Sequence, residues 1–282
     1  MSFLLTLLST TLFGAALVQS FAQGRTLDEF SLAQSYLWLL HGDGRLWTGL
    51  VYSAPLLLIL LAHEFGHYFS CRWWRVRATL PYFGPSPTLF GTIGAFIWIR
   101  APIFNRRSLF DIGVSGPICG FLLLLPFLWL GVSQSHVCPA GPDHGLLSFG
   151  TPLILALMER VQFPGVPAAF LCLHPTAVAA WAGLLATAIN LLPIGQLDGG
   201  HILYALFGER WHTLVSRAIL VLLAVFGLFY HAWWIWVVVL FIFRRHPYIY
   251  DEQPLNASRR AFGALALVIL VLSFVVIPIR LA

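Results

Sequence analysis

The chain has 282 residues, of which 59% are hydrophobic and 10% charged, with a mean hydropathy of +0.83. Soluble domains carry about 25% charged residues, so this composition excludes a soluble globular protein. The formal charge of +5 rests on 16 arginines and no lysine, and without a dense basic run it excludes a nucleic-acid binder. At about 20 apolar residues per span, the length predicts an all-α polytopic membrane protein, a bundle of about 6–7 transmembrane helices.

In chain order, residues 3–18 are apolar and predict a first span. No arginine precedes them, which favours a retained span over a cleaved signal peptide. Residues 24–45 read as a loop or surface helix. Residues 46–70 form a second span, followed at once by Arg72, Arg75 and Arg77. Residues 79–104 carry Pro81, Pro85, Pro87 and Pro102, with Gly84, Gly91 and Gly94 between them. No 20-residue helix tolerates that density, and the run from Thr92 to Ile99 is β-prone. Non-helical backbone at membrane depth is allowed where protein or a water-filled cavity covers it. The expectation is a re-entrant β-hairpin-like loop.

Residues 108–132 form a third span. Residues 133–167 are a mixed loop with a short helix at Leu153–Val161, and residues 168–192 form a fourth span. Residues 213–243 are too long for one untilted span and predict a tight helical hairpin near His231, with Trp233, Trp234 and Trp236 as interfacial anchors. Residues 261–279 form the last span. With the Arg72–Arg77 side in the cytoplasm, Arg72, Arg75, Arg77, Arg106, Arg107, Arg210, Arg217, Arg244, Arg245, Arg259 and Arg260 fall inside. Arg25, Arg45, Arg160 and Arg280 fall outside, and Arg100 lies in the re-entrant piece. That asymmetry is what the positive-inside rule expects. Cys71, Cys119, Cys138 and Cys172 are scattered without a CxxC pair and predict neither a zinc site nor a disulfide framework.

Chemistry concentrates in His63-Glu64-Phe65-Gly66-His67. On a helix, positions i and i+4 share a face, so His63 and His67 can hold one metal ion while Glu64 reaches a water on it. Zinc polarises a scissile carbonyl and lowers the pKa of a bound water to about 7. Glu64 is the candidate general base. An uncompensated carboxylate and two imidazoles at the end of an apolar span cost several kcal/mol, which argues against an idle polar pair. A catalytic zinc needs a third protein ligand. Asp198, in Asn190-Leu191-Leu192-Pro193-Ile194-Gly195-Gln196-Leu197-Asp198-Gly199-Gly200-His201, is the candidate. Its competing role is the N-cap of a helix starting at Gly199.

HEFGH late in one span and NLLPIGQLDGGH after a later one resemble the site-2 protease family of intramembrane zinc metalloproteases. Gly91-Thr92-Ile93-Gly94 is similar to that family's membrane hairpin, and Phe110-Asp111-Ile112-Gly113-Val114-Ser115-Gly116-Pro117 to the Gly-Pro motif of its third core span. The wording is closest to the branch with plant chloroplast and many bacterial members. The resemblance covers residues 46–250, leaving 1–45 as a first span and loop and 251–282 as a C-terminal span, with no room for a PDZ or CBS domain. It implies His63, His67 and Asp198 as ligands of one zinc per chain and Glu64 as general base. It also implies Asn190 as an oxyanion stabiliser or substrate-positioning group, and a hairpin edge that takes an unwound substrate segment as an added strand. The substrate class implied is a membrane protein with a single span, and the location a bacterial inner membrane with the site toward the cytoplasm. Many relatives carry an Asn shortly after the Gly-Pro motif, where this chain has Ile118, Cys119 and Gly120.

His201 could support the site or a substrate gate. Asp111 could serve as a helix N-terminal carboxylate or contact the active-site loops. His41, His136, His144, His174, His212, His231 and His246 read as loop or interface residues. Two other functions stay open on sequence: a metal- or substrate-binding membrane protein without catalysis, and another type of HExxH protease with Glu159 or Glu209 as third ligand. The first would have lost a ligand or the base, or, as a transporter, would show repeat symmetry; neither is seen.

Overall fold

The computed structural model describes residues 2–24, 27, 29–87, 89–138, 147–251 and 253–281. Arg25 and His144 lie outside them. The elements in order are α1 Ser2–Ala22, α2 Glu29–His41, α3 Leu50–Trp73, β1 Tyr82–Pro85, β2 Thr92–Phe96, α4 Arg106–Ser133, β3 His136–Val137, β4 Leu147–Phe149 and α5 Leu153–Gln162. They continue with β5 Leu171–Cys172, α6 Pro175–Asn190, α7 Asp198–Phe207, α8 Glu209–Phe229, α9 Ala232–Ile242, α10 Ala257–Ser273 and β6 Ile279–Leu281.

Among the described residues the architecture is mostly helical with three small two-stranded sheets, and four helices are long and apolar enough to cross a membrane: α1, α3 with the 3-10 turn before it, α4 and α8. The other apolar stretches yield shorter helices, because α6 stops at Asn190, before the turn at Pro193 and Gly195, and α9 has only 11 residues. The expected hairpin in 213–243 is present, α8 and α9 meeting around Tyr230 and His231. The polar stretch 24–45 contains helix α2, and the short helix expected at 153–161 is α5.

α4 is the central pillar, packed on α3, α6 and α7. Its start is set by Asn105, whose side-chain oxygen accepts from the Ser108 N–H at 2.8 Å and so satisfies one donor that the helix leaves open. Leu56, Ile59, Leu124, Leu128, Trp181 and Leu184 are buried between α3, α4 and α6. α1 lies against this group. Its Thr10 hydroxyl meets that of Ser53 at 2.5 Å, and its Ser9 hydroxyl donates to the Gly91 carbonyl at 2.6 Å.

The proline-rich stretch forms an antiparallel hairpin, Tyr82 opposite Phe96 and Gly84 opposite Gly94. Pairing runs on beyond the strands: the Thr79 N–H donates to Trp98 O, and the Arg100 N–H to Arg77 O. The prolines and glycines that forbid a helix here thus sit in and around a hairpin whose β1 face rests on α1.

The cysteines correct the sequence reading. Cys138 and Cys172 form a disulfide across the paired strands β3 and β5, while Cys71 and Cys119 are free. The 34-residue separation hid the pairing. Only when α4 and α6 pack side by side do the end of one and the start of the other bring the two sulfurs together.

Candidate metal centre

His63 and His67 sit late in α3, one turn apart, and Asp198 is the first residue of α7. Folding brings the three together. His63 Nε2 is 3.1 Å from His67 Nε2, and the Asp198 Oδ2 oxygen lies 3.2 Å and 3.3 Å from the two nitrogens. The Asp198 carboxylate caps nothing, since the residue before it holds the cap position and makes no side-chain cap bond. Asp198 is thus not at the cap position, and its carboxylate lies beside the two histidines. Glu159 and Glu209 do not belong to this group. Glu159 is buried in α5, and burial pushes its carboxyl up to about 7.

The tautomers follow from the surroundings. His67 Nδ1–H donates to the Ile112 carbonyl at 2.6 Å, which leaves Nε2 as a lone pair aimed at Asp198 and His63. Such a second bond is the usual way an imidazole ligand is oriented. The lone pairs of Asp198 Oδ2 and His67 Nε2 thus converge with His63 Nε2 in a region where His63 and His67 are 5% and 6% exposed. Converging lone pairs repel unless a shared proton or a metal cation sits among them, and one metal ion satisfies all three atoms at once. Zinc bonds of about 2.0–2.2 Å in a tetrahedral arrangement place donor atoms about 3.3 Å apart, which matches the observed spacing. The donor set fits zinc.

The local sequence makes this approach sterically possible. Gly113, Gly116 and Gly120 line one face of α4 at spacings of three and four. A Cβ on Gly116 would lie 2.1 Å from His67 Nε2, one on Gly120 3.1 Å from His63 Cβ, and one on Gly113 3.0 Å from His201 Cβ. Gly120 stands in the stretch that departs from the family pattern, and it leaves space beside His63 in place of a polar group. In the sequence Gly113 and Gly116 stand out only by resemblance to the Gly-Pro motif. Their helical spacing was the signal that this face admits the ligand-bearing helix.

Glu64 is 6% exposed and sits beside the ligand pair. β2 packs against α3, with the backbone amide of Ile97, just past the strand, near the Glu64 carboxylate. Asn190, the last residue of α6, brings its side-chain amide to 3.4 Å from His63 Nε2. The sequence-predicted site residues His63, Glu64, His67, Asn190 and Asp198 thus form one constellation.

His201 and Asp111 were both legible as candidate supports, but their partners were not. His201, one turn after Asp198, has its Nδ1 2.8 Å from His246 Nε2, and His246 stacks on Tyr204. Asp111 accepts from both Arg259 Nε and Nη2, at 2.8 and 2.7 Å, and from Trp74 Nε1 at 3.1 Å. It ties the end of α3 to the starts of α4 and α10. Of the other described histidines, His212 Nε2 lies 3.0 Å from the Gly195 carbonyl, and Phe21 packs on His136 and His174.

The sequence profile of peptidase family M50 matches residues 51–232. The chain is 30% identical over 226 residues to the probable zinc metalloprotease EGY1, chloroplastic, of Arabidopsis thaliana, an alignment covering 77% of this chain and 41% of that protein. It is 30% identical over 237 residues to the probable zinc metalloprotease EGY2, chloroplastic, of Oryza sativa subsp. indica, covering 80% and 42%. The chain spans about two fifths of the length of the curated relatives it matches.

Proposed function

The chain belongs to peptidase family M50, and from that premise we propose that it is an intramembrane zinc metalloendopeptidase acting in or near transmembrane segments of membrane proteins. The observation that carries this is the convergence of His63 Nε2, His67 Nε2 and Asp198 Oδ2 within 3.3 Å of one another, beside a buried Glu64. His63, His67 and Asp198 would hold one zinc ion per chain.

When bound, zinc supplies Lewis-acid polarisation of the scissile carbonyl and acidifies a water. Glu64 takes the proton of the attacking water and delivers it to the leaving amine. Asn190 offers a side-chain N–H to the developing oxyanion or to the substrate backbone. A substrate helix must unwind before its peptide bonds are accessible, and its freed backbone groups then need partners. The outer edge of β2 supplies them by strand addition, and exposed Ile93 and Phe96 flank that edge. The substrate class we favour is a single-span protein in regulated intramembrane proteolysis.

In this reading residues 46–250 are the protease core, between a first span with its loop in 1–45 and a last span in 251–282. The site faces the arginine-rich side, the cytoplasm of a bacterial inner membrane. The Cys138–Cys172 disulfide supports that orientation. It joins the end of α4 distant from Arg106 to the start of α6, and disulfides persist in oxidising compartments.

Metal content by mass spectrometry on detergent-purified protein, wild type beside His67→Ala, tests the site. One zinc per chain in the wild type and none in the variant is expected. A zinc-free wild type prepared without chelator would leave the motif a relic and overturn the proposal.

A further inference from the structure

The tip of the β1–β2 hairpin is held by hydroxyls from three different helices. The Tyr36 hydroxyl of α2 donates to the Pro87 carbonyl, the Tyr52 hydroxyl of α3 to the Phe90 carbonyl at 3.1 Å, and the Ser9 hydroxyl of α1 to the Gly91 carbonyl at 2.6 Å. For the single proton of Ser9, the Gly91 carbonyl is the nearest acceptor, ahead of the Leu5 and Thr6 carbonyls of its own helix at 3.0 and 3.2 Å. The backbones meet as well: a Cβ on Gly91 would lie 2.5 Å from the Ser9 carbonyl oxygen. Phe90 takes a left-handed conformation, with φ at 61°, which is rare for a bulky residue. Its ring packs on Phe13, Phe149 and Trp181. Such a conformation persists where the surroundings over-determine it.

The hairpin does little to fix its own placement. Register is weakly specified in glycine-rich strands, and here Gly84 faces Gly94 and the pairing shifts between Gly84 and Pro85. At its base the ribbon is tied to the chain after α3, through Thr79 with Trp98 and Arg77 with Arg100, and the Ile97 amide lies near the Glu64 carboxylate. Tyr52 stands about 18 Å from Glu64 along α3, at about 1.5 Å per residue. The clamp therefore grips the ribbon at the end remote from Glu64. A ribbon tied only at its base pivots, and a strand laid along β2 pivots with it. Two of the three clamping hydroxyls, those of Ser9 and Tyr36, lie outside residues 51–232, the stretch that the family profile matches.

We propose that Ser9 and Tyr36 are positioning residues that decide which peptide bond is cut, by fixing the hairpin tip and with it the register of the substrate strand. This role rests on the protease reading and on strand addition at β2. One residue of slip moves an added strand by about 3.3 Å and turns its side chains to the other face, so a neighbouring bond then reaches the metal ligands.

The test uses the full chain in proteoliposomes with a library of single-span reporters, the product ends being read by mass spectrometry. The wild type should cut a given reporter at one bond. Ser9→Ala/Tyr36→Phe should cut neighbouring bonds too and raise KM about tenfold, the effect of two hydrogen bonds, with kcat lowered far less and one zinc per chain retained. Ser9→Thr, which keeps the hydroxyl, should cut like the wild type. So should Thr11→Val, whose lost hydroxyl donates to the Leu7 carbonyl of the same helix. Hydrogen exchange reads the clamp with no substrate present: amides of residues 92–96 should exchange about tenfold faster in the double variant. An unchanged cleavage bond and KM in that variant, or unchanged exchange, would overturn the proposal. So would equal broadening in Thr11→Val, or zinc lost with the two hydroxyls, since α1 and α2 would then support the fold at large. A zinc-loaded wild type that cuts none of the reporters would overturn the protease reading itself, and the positioning role with it.

Discussion

Among the described residues, two clusters bring three metal-ligating side chains within 4.8 Å: His63, His67 and Asp198, and His136, Cys138 and Cys172. Only the first has the chemistry of a metal centre. Its groups come from two helices, are oriented by a second bond at His67, and aim lone pairs at a common point. In the second, the two sulfurs satisfy each other as a disulfide, and His136 is exposed on a two-residue strand with its ring against Phe21. Proximity alone makes a list of donors. A site needs donors that are not consumed by a covalent bond to one another and a scaffold that keeps them facing.

The largest expected effect breaks the first cluster and leaves the second intact. Asp198→Ala should remove essentially all bound zinc and all cleavage, because two imidazoles alone leave the metal with too few protein ligands. Retention of stoichiometric zinc by this variant would move the third ligand elsewhere. Next, Glu64→Gln should keep zinc at one per chain and slow cleavage of a single-span reporter by about 10²–10⁴-fold. Near wild-type cleavage would remove Glu64 from the mechanism. The pair of results separates holding the metal from using it.

The third change turns to the other cluster. Cys138→Ser should destabilise the chain by about 2–4 kcal/mol, read as a lower melting temperature in detergent, with zinc content unchanged. Zinc lost together with the disulfide would mean that the second cluster is the metal site. A smaller loss of stability with intact zinc would instead show that the paired ends of α4 and α6 are held by their packing.

Much of this contrast was legible in the sequence, and the part that was not has a physical cause. HEFGH and LDGG are local patterns: a helix period of 3.6 fixes His63 and His67 on one face, and a lone carboxylate after an apolar span demands compensation. The hairpin was legible because Pro81, Pro85 and Pro87 exclude a helix whatever the tertiary context. The Cys138–Cys172 bond was not, since it depends on which helix ends become neighbours, and no residue near either cysteine encodes that. Span counting read 168–192 as one full crossing, but helix α6 is started by Pro175 and ends at Asn190, where the chain must turn to place Asp198. Apolarity told that the stretch avoids water; it did not tell how long the helix runs.

The smallest expected effect asks how far the first cluster extends. His246 Nδ1–H donates to the Pro247 carbonyl at 2.7 Å, so His246 Nε2 is an acceptor and must receive the Nδ1–H of His201 at 2.8 Å. His201 is thereby fixed in one tautomer, wedged between Gly113 of α4 and the segment after α9. It bonds to none of the three converging groups, so its hold on Asp198 acts through the first turn of α7 alone. Direct bonding partners of metal ligands typically change affinity by about 10–100-fold, and His246→Ala should therefore weaken zinc binding by less than about tenfold, with His246→Gln restoring most of it because its side-chain oxygen can still accept. A loss as large as that of Asp198→Ala would mean that the segment after α9 is part of the metal centre, and the boundary drawn between the cluster and its support would have to move outward to His246.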